Sequence, residues 1–90
     1  MQLLLAEDEL DLARAIEVIL TKQGYLVDVV HDGKDAYQYA QLSQYDGIIL
    51  DIMMPKLSGI EVLTKLRATG SQVPILLLTA KSAVDDRIEG

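Results

Sequence analysis

The chain has no cysteine, which excludes disulfides and thiolate metal ligands and agrees with a reducing compartment without demonstrating one. It also lacks any apolar run approaching the roughly 18 residues of a membrane-spanning helix, although 50% of its residues are hydrophobic. No basic segment precedes Leu3-Leu4-Leu5, and the sequence turns acidic at Glu7. A secretory signal is therefore not expected, and the expected location is the cytoplasm. Positive charge is scarce: 8 Lys and Arg against 14 Asp and Glu give a net charge of -6 and a pI near 4.5. The basic residues are scattered, with no basic stripe interleaved with aromatics, so this segment is not expected to grip nucleic acid. Internal repeats, low-complexity tracts and interior linkers are missing too. Ninety residues suffice for one modest core and not for two domains.

What the chain does have is two apolar runs that end in carboxylate. Leu3-Leu4-Leu5-Ala6 stops at Glu7-Asp8, and Gly47-Ile48-Ile49-Leu50 stops at Asp51. Short apolar runs of this kind read as strands buried on both faces, and in a parallel sheet such strands end along a common edge. Gathered carboxylates repel one another and raise each other's pKa, so a fold that collects three of them has a cation to hold or a reaction to run.

The remaining pattern fills in the elements. Leu12, Ile16, Ile19 and Leu20 recur at helical spacing over 10–23, with Asp11 and Glu17 early, Lys22 late and Gly24 as the expected cap. A β-rich stretch at 25–30 leads to the Asp32-Gly33 turn, where Asp32 can cap a helix over 33–42 resting on Ala36, Tyr39 and Ala40. Pro55 forces a loop after Asp51. Ser58-Gly59-Ile60-Glu61 has capping-box spacing ahead of Leu63 and Leu66. An apolar strand at 73–78 tolerates Pro74 near its start, Thr79 ends it, and Ser82-Ala83-Val84-Asp85 opens a fourth helix. Alternation of strand and helix predicts an α/β, doubly wound parallel sheet with right-handed crossovers and helices on both faces. Its site is expected beyond the carboxyl ends of the strands, where Glu7, Asp8, Asp51 and Thr79 would sit.

These residues together resemble the receiver domain of two-component response regulators, a flavodoxin-like fold. The strings that carry the likeness are Leu3 to Glu9, Asp46 to Pro55 with Ser58-Gly59, and Pro74-Ile75-Leu76-Leu77-Leu78-Thr79-Ala80. The resemblance implies that Asp51 accepts a phosphoryl group from a sensor histidine kinase. It also implies Mg²⁺ held by Asp8, Asp51 and the backbone carbonyl of Met53, with Glu7 acting through a water. Thr79 would be the switch hydroxyl, and the small Ala80 would leave room for the donor. The style of Met53 to Gly59 looks most like the transcription-factor branch with a winged-helix output. Taken singly, each acid is an ordinary cap or solvated residue, and His31, Met53 and Met54 read as surface or packing residues.

The family pattern also carries a fifth strand bearing a lysine and an aromatic residue, then a fifth helix. The expectation over 1–90 is thus a C-terminally truncated receiver with four strands, three helices and the start of a fourth. Neither Lys56 nor Lys81 occupies the position of that lysine, so phosphorylation is expected to be weak. The fourth strand is expected at an open edge through which two copies could associate. Two other readings stay open: a phosphorylation-independent interaction module and a small Mg²⁺-dependent phosphohydrolase.

Overall fold

Four apolar segments form one parallel sheet in the order β2-β1-β3-β4. The computed structural model describes residues 1–78. They form β1 (Gln2–Ala6), α1 (Leu10–Lys22), β2 (Leu26–Val30), α2 (Gly33–Leu42), β3 (Gly47–Asp51), α3 (Gly59–Ala68) and β4 (Ile75–Leu78). The expected fourth helix, Thr79, Ala80 and Lys81 lie outside the described residues.

Successive strand side chains point to opposite faces. Leu4 and Ala6 of β1, Val30 of β2, and Ile48 and Leu50 of β3 therefore share one face. There they meet Ala36 of α2 and Val62 and Leu66 of α3 in a single buried cluster. On the other face, where α1 packs on β1 and β2, Leu5 and Ala13 are buried. Helices thus cover both faces, as the strand-helix alternation requires.

Several expected details shift for local reasons. Of the residues assigned to the inner stripe of α2, Ala36 and Ala40 pack inward, but Tyr39 is 45% exposed and Tyr37 takes its place. The inward stripe runs Gly33, Ala36, Tyr37, Ala40, the i, i+3, i+4, i+7 set of one helical face. In α1, Leu12 and Ile19 are exposed among the described residues, and Ala13 is its buried residue. Tyr25 does not join β2, because its N–H donates to the Leu20 carbonyl at 3.2 Å and closes α1. Pro74 stays outside β4 yet extends its pairing, since its carbonyl accepts from the Ile48 N–H at 2.9 Å.

The amino-terminal ends of the strands are tied together. Asp28 Oδ2 accepts from the Tyr45 hydroxyl at 2.7 Å and from Gln2 Nε2 at 3.1 Å. Asp46 exchanges two bonds with Gln2, accepting from its N–H at 2.7 Å and donating to its carbonyl at 2.8 Å. Burial, with Asp28 adding, pushes the Tyr45 hydroxyl up to about 12, so it stays a donor at neutral pH.

Candidate functional site

The site follows from register. β1 pairs with β3 in parallel, with Ala6 opposite Leu50, so Glu7, just past β1, and Asp51, the last residue of β3, arrive side by side. Asp8 follows Glu7 where the chain turns toward α1. One carboxylate oxygen from each of Glu7, Asp8 and Asp51 lies within 4.8 Å of the others. Glu7 is buried, Asp51 half-buried and Asp8 exposed, so the cluster opens to solvent on the Asp8 side.

Backbone N–H groups hold two of the acids. Glu7 Oε2 accepts from the Glu9 N–H at 2.9 Å, and Asp51 Oδ1 accepts from the Met53 N–H at 3.4 Å. Burial pushes the Glu7 carboxyl up to about 7, against the pull of the Glu9 N–H and with help from the neighbouring Asp51 charge. Burial likewise raises the Asp51 carboxyl, opposed by the Met53 N–H and assisted by Asp8. Two acids made reluctant to ionise beside a third form a set that a cation would relieve. Three hard oxygen donors in that span suit a hard divalent ion such as Mg²⁺.

The loop at 52–58 is folded tightly behind Asp51. The Gly59 N–H closes it onto the Ile52 carbonyl at 2.9 Å, and a Cβ at Gly59 would stand 2.5 Å from the Asp51 carbonyl oxygen. Ser58 and Glu61 form the expected capping box, so α3 starts at the close of this loop. Met53 sits in the loop and is 73% exposed.

The structure thus brings together Glu7, Asp8 and Asp51 and places Met53 against Asp51 through its N–H. The position of Thr79 lies outside the described residues. Sequence reasoning missed a partner for His31, whose Nδ1 lies 3.0 Å from the Glu7 carbonyl oxygen. It also missed the pairing of Lys56 Nζ with Asp32 Oδ2 at 3.5 Å. Neither contact leaves a periodic signature, because each joins loops far apart in the chain.

Comparison with known proteins decides the family. Residues 3–90 match the response regulator receiver domain family. The chain belongs to that family. The receiver is 46% identical to the transcriptional regulatory protein DltR of Streptococcus agalactiae over 90 residues, covering all of this chain and 40% of that protein. It is similar in structure to the response regulator TrrA of Thermotoga maritima, solved in complex with Mg²⁺ and BeF. There the TM-score is 0.85 at 34% identity, covering 91% of this chain and 71% of that one. The receiver domain of a Pseudomonas aeruginosa sensor histidine kinase, with a magnesium ion coordinated in its active-site cleft, gives a TM-score of 0.86 at 38% identity. That match covers 96% of this chain and 72% of that one. The receiver spans about 40% of the length of the curated regulators it matches. Among the described residues no helix is long and apolar enough to cross a membrane.

Proposed function

We propose that this receiver accepts a phosphoryl group on Asp51 from a phosphohistidine of a sensor histidine kinase. An Asp51 carboxylate oxygen attacks phosphorus, a P–O bond forms as the P–N bond breaks, and the imidazole nitrogen leaves with its electron pair. The convergence of Glu7, Asp8 and Asp51 within 4.8 Å at the ends of two adjacent strands carries this reading. Asp8, Asp51 and the Met53 backbone carbonyl would hold Mg²⁺, with Glu7 acting through a water; bound there, the ion would offset the charge of the transferring phosphoryl group. The Mg²⁺-containing relatives support that assignment. Thr79 is the proposed switch hydroxyl, donating to a phosphoryl oxygen and drawing the following loop inward, while Ala80 leaves room for the donor.

The test is incubation of this chain, and of a C-terminally extended one, with Mg²⁺ and acetyl phosphate, followed by peptide mass mapping. A single phosphoryl group on Asp51, lost in Asp51→Asn, is the expected result. Labelling at another residue overturns the assignment, and sustained release of phosphate from an ester would favour a phosphohydrolase.

The signal would pass to a DNA-binding output domain, a role supported by the transcriptional regulatory proteins among the relatives and performed outside this acidic segment. The reading also includes cytoplasmic residence and association of two copies along β4, which ends the sheet among the described residues and leaves Leu76 59% exposed.

A further inference from the structure

The turn between β2 and α2, residues 31–33, touches both segments that carry the acids. On one side His31 Nδ1 lies 3.0 Å from the Glu7 carbonyl oxygen, next to the bond by which the Glu7 N–H donates to the carbonyl of Val30, the last residue of β2, at 3.1 Å. On the other, the Gly33 N–H donates to the Pro55 carbonyl at 3.2 Å, and Asp32 pairs with Lys56 at 3.5 Å. Gly33 is buried against the loop at 52–58, and a Cβ there would collide with the Leu57 carbonyl. Between these contacts Lys56 adopts φ +71°, a left-handed conformation that a residue with a side chain takes up at a cost and keeps where its surroundings fix it.

The three acids sit on two separate segments, so a link across those segments fixes how far apart the acids lie. We propose that residues 31–33 form a strut that sets the spacing between the Glu7-Asp8 and Asp51-Met53 segments, with Asp32, Gly33 and Lys56 as positioning residues for the metal and phosphoryl chemistry. The functional half of this inference rests on the phosphoacceptor reading above; the mechanical half does not. Asp32 serves twice, since its Oδ1 caps α2 through the Asp35 N–H at 2.8 Å while Oδ2 faces Lys56. Those same partners, the Asp35 N–H foremost, hold its carboxyl below the usual range. Lys56 is 60% exposed, so the ion pair contributes modestly and the Gly33 contact is the stiffer half of the strut.

Two substitutions separate strut from scaffold. Asp32→Asn keeps a good helix cap while deleting the charge, and Gly33→Ala drives a methyl into the Leu57 carbonyl. Amide hydrogen exchange in the metal-free protein and Mn²⁺ affinity by calorimetry are the two readouts. Gly33→Ala is expected to speed exchange at Leu57 and Gly59 while α1 keeps its protection, and to weaken Mn²⁺ binding about tenfold. Asp32→Asn is expected to weaken binding about two- to fivefold with its thermal midpoint nearly unchanged, a difference that vanishes in high salt. Lys56→Arg should bind as the parent does. Unaltered exchange at 52–59 in both variants overturns the strut, as does a loss of protection spread evenly over the whole fold. If the parent chain binds no Mn²⁺, the metal reading fails, while exchange in the metal-free protein still decides the strut. Should Gly33→Ala fail to fold, Asp32→Asn and Lys56→Gln decide the matter by the same readouts.

Discussion

Glu7 shows how one side chain can set the pH behaviour of the receiver. Burial pushes its carboxyl up to about 7 in the fold from an ordinary value of 4.5, so the folded state binds the proton more tightly than the unfolded chain. The stabilisation is therefore complete below the unfolded value and is lost as pH rises through the folded one, amounting to about 3 kcal/mol at most. Metal-free protein should accordingly show a lower urea midpoint at about pH 8 than at about pH 5. Glu7→Gln should flatten that slope, leaving the smaller part that Asp51 contributes in the same direction. Mg²⁺ bound at the proposed site would compete with these protons, so its affinity should climb across the same interval. A profile unchanged by Glu7→Gln would show that the burial of this acid has no titration consequence.

At the scale of elements, α3 offers the sharpest test. Ser58 and Glu61 exchange cap bonds of 3.1 and 2.9 Å, and the helix they start carries Val62 and Leu66 into the core. Ser58→Ala should cost about 1 kcal/mol in denaturant unfolding, and a loss near zero would mean that the box forms without stabilising the helix. This box and the bounds of α2 were legible in the sequence because caps and periodicity are local signals. Tyr39 misled because Tyr37 and Tyr39 both flank Ala36 and Ala40 at plausible helical offsets, and only packing against α3 chooses between them. The strand ends slipped by a residue or two where a loop or helix claimed the backbone, as Leu20 does with Tyr25. The strut at 31–33 was hidden altogether, since Asp32-Gly33 announces a turn and says nothing of the loop it will meet.

For the whole molecule, convergence of the acids was readable because it needs only two strands ending in carboxylate and a strand order that makes them neighbours. The core supporting that order is small, and Leu50 lies fully buried at its centre. Leu50→Ala should cost about 2 to 5 kcal/mol, a large share of the stability a domain of this size commands, and circular dichroism should show partial or complete unfolding. Light scattering over a concentration series should report growth beyond a monomer if two copies join along β4. A mass that stays constant would remove that part of the proposal.

The knot of Gln2, Asp28, Tyr45 and Asp46 lies at the end of the sheet away from the acids, yet it fixes the offset of the strands whose tips carry Glu7 and Asp51. A screen scored on the proposed phosphoryl acceptance would therefore recover lesions at Tyr45 or Asp28. Such alleles would imitate the loss of one of the proposed ligands although each was intact, and a map of hits drawn without the register in mind would place the acidic site at the wrong pole of the protein.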